Sequence, residues 1–169
     1  MKKNHSAVHD DSFIQCSAAD HQECIRQALQ RARALCQQQG LRLTPIRQRV
    51  LELVWGSHQP QGAYDILARF SKQAERPAAP PTIYRALDFL LQHGLVHRLA
   101  SLNAYIGCSR PEQNHQGYFL ICRLCSGVRE LPETGVGQAI RQAADRLGFA
   151  IEQQVVEVSG LCAPCKEQL

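Results

Sequence analysis

At 169 residues with 44% apolar side chains, the chain can bury one large core or two small ones. A formal net charge of +4 is too small to select a partner, and no apolar run approaches the ~18 residues that a membrane-spanning helix needs. The start, "MKKNHSAVHDDSF", has two lysines but lacks the apolar stretch of a secretory signal, so a soluble, cytoplasmic protein is expected.

The charge is unevenly spread. Residues 1–110 carry 14 Lys and Arg against 8 Asp and Glu, a balance of +6, whereas residues 111–169 carry 5 against 7, or −2. A basic front half suggests that only this half faces a polyanion, although proteins that touch no nucleic acid often carry as much. Disulfides are exceptional inside cells, so eight cysteines point first to a metal.

Residues 1–20 are polar and aperiodic and read as a tail, with His5, His9 and Cys16 in it and His21 and Cys24 just beyond. His21 and Cys24 are spaced to share a helix face, which makes an extra metal site conceivable beside the plainer reading of a tail. From Cys24 to Gln39 the positions Ile25, Leu29, Ala32, Leu35 and Cys36 form a helical stripe closed by Gly40, with Cys36 in the core. In "RLTPIRQRVLELV", Thr44 suits an N-cap and Pro45 the first helical position, and Ile46, Val50, Leu51 and Val54 give a second apolar face. "GAYDILARFSKQ" supplies a third helix with Ile66, Leu67 and Phe70 inward.

The segment "AERPAAPP" leads into a fourth helix, "TIYRALDFLLQHG", with Ile83, Leu87, Leu90 and Leu91 on one face and Gly94 as C-cap. "LVHRLA" and "NAYIGC" then predict a hairpin turning at "SLN". This order is that of a winged helix-turn-helix. Beyond a boundary near residues 108–116 come the strands "GYFLICRLC" and "GVRELP". A helix over 134–148 follows, with Val136, Ile140, Ala144 and Leu147 inward, and then the strand region "FAIEQQVVEVSG". The fold class is therefore α+β.

Two C-x-x-C pairs, Cys122/Cys125 and Cys162/Cys165, are separated by 36 residues, the thiolate set of a closed structural zinc site. A thioredoxin-like redox pair would need one such motif at a helix start in a βαβ setting, and neither pair opens the helix expected over 134–148. His97, Cys108, His115 and Glu130 form a looser quartet. Each has a plain alternative: a strand surface imidazole, a small buried hydrophobe, a solvated strand-end charge. The quartet's attraction is that it straddles the domain boundary.

The stretches "LRLTPIRQRVLELV", "AYDIL", "PPTIYRALDFLLQHGLVHRL", "NAYIGC", "FLICRLCSGVRE" and "GLCAPC" resemble the ferric uptake regulator family in order and spacing, and within it the zinc-sensing branch. The resemblance runs from about Arg33 to Cys165. It implies a homodimeric, zinc-dependent transcriptional repressor of zinc-uptake genes that binds palindromic, AT-rich DNA, and not an enzyme. The implied layout is a tail over 1–20, a winged-helix DNA-binding domain over 21–108 and a small α/β dimerisation domain over 109–169. It also implies two zinc ions per chain, a structural one on Cys122, Cys125, Cys162 and Cys165 and a regulatory one on His97, Cys108, His115 and Glu130.

Iron-sensing members carry a His-rich run before the first C-x-x-C, whereas "NHQGYFLIC" has one histidine; a thiolate in the quartet also favours zinc. The His/Cys-rich tail of some relatives has no counterpart after Cys165. On the fourth helix Thr82, Tyr84 and Arg85 face away from the apolar side, with Arg85 able to contact guanine and Asp88 its alternative ion-pair partner. The family pattern adds Tyr64 as a base contact. Arg42, Arg47 and Arg98 are the expected phosphate partners. Ala68 and Ser71 stand where some relatives use charges to pair two dimers. The remaining rivals are an iron- or peroxide-sensing repressor, a zinc hydrolase, which would need an open ligand position, and a purely structural zinc-ribbon module.

Overall fold

The computed structural model describes residues 18–57, 59–73, 78–112, 117–131, 135–152 and 154–168. His5, His9, Cys16 and His115 therefore lie outside the described residues. The first helix, α1 (Ala18–Gln38), begins before Cys24 and carries His21 within it, so the helix takes in residues expected to be tail. Ala28, Ala32 and Cys36 recur every fourth position and are buried. Gly40, at φ 65°, turns the chain out of the helix, a conformation that costs glycine nothing.

In α2 (Pro45–Trp55) the Thr44 side chain accepts from Arg47 N at 3.4 Å, and Pro45 occupies a first turn that needs no N–H from it. Val50, Leu51, Leu53 and Val54 are buried, while Ile46, expected inside, is 40% exposed. A two-residue strand that sequence reading missed, β1 (Gln61–Gly62), precedes α3 (Ala63–Gln73), in which Ile66 is buried and Leu67 and Phe70 are half-buried. The helix α4 (Pro80–Gln92) starts two residues earlier than expected, because consecutive prolines at its first two positions lose no hydrogen bond there. Gly94, at φ 65°, ends it.

The strands β2 (Val96–Leu99) and β3 (Ala104–Gly107) make the expected hairpin, with Asn103 at φ 46° in its turn; β1 adds to β3, giving the order β1-β3-β2. The helices and this sheet share one core, with Val50, Leu51, Ile66, Ile83, Leu87 and Leu90 at its centre.

The second sheet has the order β5-β4-β6. Its central strand β4 (Gly117–Cys122) pairs antiparallel with β5 (Val128–Glu130) and parallel with β6 (Val155–Gly160). The helix α5 (Gly135–Arg146) lies in the connection that carries the chain from β4 through β5 to β6, the crossover that the parallel β4–β6 pair requires. Of the expected inward residues Ala144 is buried and Ile140 half-buried, whereas Val136 is 49% and Leu147, just past the helix, 83% exposed. The apolar side of α5 is left largely uncovered by its own chain. A short helix, α6 (Ala163–Lys166), follows.

Leu99 of the hairpin packs with Phe119, Ile121 and Val128 of the second sheet, and Ile106 covers them. Burying Leu99 and Phe119 contributes roughly 1.5–3 kcal/mol each. The hairpin and the second sheet thus share an apolar junction.

Candidate metal centres and nucleic-acid interface

Parallel pairing of β4 with β6 sets Cys122 opposite Gly160, so the turn after each strand emerges at the same end of the sheet. Cys122 and Cys125 lie on one turn, with Ser126 at φ 56°; Cys162 caps α6 and Cys165 lies within it. The second C-x-x-C opens the short α6, whereas neither pair opens α5. What answers the redox alternative is convergence: all four Sγ atoms lie within 4.8 Å of one another, with Cys125 Sγ 3.7 Å from Cys162 Sγ. Backbone N–H groups, that of Cys125 first and then that of Cys162, aim at Cys122 Sγ and pull its thiol down to about 6. A hydrogen bond with Cys162 leads the causes that push Cys165 up to about 12. Four sulfurs this close make a closed set of soft donors that fits a structural zinc.

The second cluster bridges the two sheets. Donor atoms of His97 on β2, Cys108 just after β3 and Glu130 at the end of β5 lie within 4.8 Å of one another. His97 Nε2 is 3.3 Å from Glu130 Oε1, and both side chains are nearly enclosed, at 14% and 13% exposure. The His97 ring also meets Phe119 edge-on at a centroid distance of 5.2 Å. Cys108 is buried, and its backbone N–H is fixed on Leu95 O at 3.1 Å. Burial, with Glu130 and Glu112 adding to it against a backbone hydrogen bond from Arg110, pushes the Cys108 thiol up to about 12. An imidazole, a thiol and a carboxylate converging in a nearly dry junction fit Zn²⁺, whose charge is what lets such a thiol ionise.

Ser109, which sequence reading did not single out, donates its hydroxyl to Glu130 Oε2 at 3.3 Å. Arg31 of α1 in turn donates to Ser109 O. These contacts join residues far apart in sequence, so no local pattern announced them. His21 and Cys24 are half-buried on α1, and among the described residues the two clusters above are the only groups of three or more metal-ligating side chains.

On α4, Arg85 and Tyr84 are exposed and Thr82 is half-buried, and among the described residues no ion pair joins Arg85 to Asp88. Tyr64, at the second position of α3, is 73% exposed. Arg42 is exposed. Arg47 is engaged within the fold: its guanidinium lies 3.5 Å over the Phe89 ring and donates to Arg42 O at 2.6 Å. Arg98 is exposed and donates to Asn103 Oδ1 at 3.2 Å across the hairpin turn. Among the described residues no helix is long and apolar enough to cross a membrane.

The chain is 41% identical over 143 residues to the zinc uptake regulation protein of Escherichia coli strain K12, covering 84% of this chain and 83% of the relative. It superposes on a solved zinc uptake regulator complexed with zinc and DNA with a TM-score of 0.80 at 40% identity, covering 85% of this chain and 96% of that one. On XcZur it superposes with a TM-score of 0.75 for the holo form, at 41% identity over 82% of this chain and 96% of that one. For the apo form the score is 0.51, at 38% identity over 85% and 99%. Residues 38–159 match the family model described as the ferric uptake regulator family, and the chain belongs to that family.

Proposed function

We propose that this chain is a zinc-dependent transcriptional repressor that binds palindromic, AT-rich operators as a homodimer in the cytoplasm, with zinc as corepressor and zinc-uptake genes as targets. It acts as a regulator and not as an enzyme. The observation that carries the reading is the cluster of His97, Cys108 and Glu130, which gathers three different donor types from two sheets into one enclosed point. The likeness to a regulator solved with zinc and DNA supports it, as does the closer superposition on the holo than on the apo form of one relative.

In this reading residues through Cys108 form the winged-helix DNA-binding domain and residues 109–169 the dimerisation domain. Each chain holds two zinc ions. Cys122, Cys125, Cys162 and Cys165 form a closed, structural site, and His97, Cys108, His115 and Glu130 form the regulatory one. When bound, zinc supplies the positive charge that offsets an ionised Cys108 beside the Glu130 carboxylate. His97 and Cys108 belong to the hairpin side of the junction and Glu130 to the other, so holding them together fixes the angle at which α4 is presented. Uncovered apolar residues on and around α5 and β6 (Val136, Leu147, Phe149 and Val158) offer a second copy an interface.

A dimer places two copies of α4 about one DNA turn apart. Arg85 then reads guanine O6 and N7, Thr82, Tyr84 and Tyr64 face the bases or sugars, and Arg42, Arg47 and Arg98 meet phosphates. Zinc and DNA raise each other's affinity, and a coupling of ~1–3 kcal/mol corresponds to about 5- to 150-fold regulation. The test is a zinc titration of binding to a palindromic AT-rich duplex, comparing wild type with Cys108→Ser. The variant should remain folded and dimeric yet lose the zinc response; unaltered zinc-dependent binding would remove this cluster from the mechanism.

A further inference from the structure

Glu130, Phe119 and Glu157 form one row across the second sheet: Phe119 pairs with Glu130 on β5 and with Glu157 on β6. Residues paired in this way project to the same face, and here that face meets the hairpin, since Phe119 is 1% exposed and packs with Leu99. The two carboxylates therefore address the same hairpin at two points. Glu130 faces His97 near the start of β2. Glu157 takes the opposite end, accepting from Ala100 N at 2.6 Å, from Ser101 N at 3.0 Å and from the Ser101 hydroxyl.

Three donors on one carboxylate satisfy the exposed N–H groups of a tight turn from a strand more than fifty positions away in sequence. Hydrogen bonds to a charged acceptor are about twice as strong as neutral ones. Nothing in the group calls for a metal, because hydroxyl and amide donors complete it.

We infer that Glu157 is a positioning residue, a metal-independent latch that holds the turn of the hairpin against β6 and so biases the two halves toward the arrangement in which His97 and Cys108 meet Glu130. A ligand that binds only one arrangement has its apparent affinity reduced by the fraction of molecules in that arrangement. Weakening the latch therefore raises the zinc needed without altering any zinc ligand. This consequence rests on the zinc-repressor reading; the latch itself does not.

The experiment compares wild type, Glu157→Ala, Glu157→Gln and Ser101→Ala as full-length protein. Amide hydrogen exchange at Ala100 and Ser101 is read without regulatory metal, and DNA binding is read against free zinc. Glu157→Ala should speed exchange at both amides and move the zinc midpoint for DNA binding up by about tenfold, within the span typical of coupled sites. Glu157→Gln, which keeps acceptor oxygen but no charge, should fall between, and adding Ser101→Ala to Glu157→Ala should cost less than the two separate effects. Unchanged exchange in both Glu157 variants overturns the latch. Faster exchange with an unmoved zinc midpoint overturns its coupling to the metal site. If Glu157→Ala fails to fold, Glu157→Gln and Ser101→Ala carry the same two readouts. Wild type that binds DNA without regard to zinc would sink the repressor reading instead, leaving the exchange measurement to decide the latch alone.

Discussion

His97 Nε2 lies 3.3 Å from Glu130 Oε1, although His97 belongs to the sheet β1-β3-β2 and Glu130 to the sheet β5-β4-β6. This contact coincides with the buried Cys108 thiol. Anything that draws these groups together acts on the relation between the two sheets. The predictions below follow from that placement and from the groups that support it.

Ser109 donates its hydroxyl to the second oxygen of Glu130 at 3.3 Å. Removing a partner that orients a ligand typically costs 10–100-fold in metal affinity. Ser109→Ala should therefore weaken zinc binding by about tenfold while the four-thiol site stays filled. Chelator competition against a zinc indicator measures both.

The four-thiol cluster should behave as a fold element. Cys122→Ser leaves three sulfurs to hold together the two turns that follow β4 and β6. A structural zinc contributes its binding free energy directly to folding. The expected outcome is loss of cooperative melting in the second half of the chain, seen by circular dichroism, whereas Cys108→Ser melts nearly as wild type. Equal melting of the two variants would reverse the assignment of roles.

Arg85, Arg42 and Arg47 should separate by function. Arg85→Ala should cost about 1–3 kcal/mol in operator binding and relax preference at one base position, whereas Arg42→Ala should weaken all sequences alike and lower the salt slope by about 1. Arg47→Ala has a second effect: removing a guanidinium from the Phe89 face, worth about 0.5–1 kcal/mol, should lower stability without DNA present. Fluorescence anisotropy at several salt concentrations, with melting curves alongside, distinguishes the three.

Glu52 supplies a pH dependence remote from both metal clusters. Burial tends to raise its pKa, but hydrogen bonds from Gln48 at 3.0 Å and Arg49 at 2.6 Å, with the charges of Arg49 and Arg33, outweigh it and hold the carboxyl below the ordinary glutamate range. A carboxyl whose folded pKa is depressed stabilises the fold fully above its unfolded value, and this stabilisation is lost as pH falls through the folded value. Wild type should therefore exceed Glu52→Gln in stability at about pH 6, and the gap should narrow as the pH falls below the ordinary glutamate range. Denaturant midpoints of the two proteins across that range give the answer, and a gap independent of pH would refute it.

Much of the molecule was legible from local pattern. Thr44 and Pro45 announced α2, glycines at φ 65° ended α1 and α4, and the doubled C-x-x-C announced four converging sulfurs, because caps, turns and paired thiols are decided within a few residues. Expectations failed where burial depends on what arrives from elsewhere. Ile46, Val136 and Leu147 carry the right period for an inward face, yet their own chain leaves them uncovered.

The sequence by itself determined the order of elements, the basic front half, the family and the donor types available to a metal. Only the tertiary structure decided that β4 and β6 run parallel, which brings the two thiol turns to one end of a sheet. It alone set Glu130 and Glu157 on either side of Phe119 facing the hairpin. Register and sheet order are fixed by long-range pairing and by the burial of Leu99 and Phe119 together, and neither leaves a trace in the spacing of neighbouring residues.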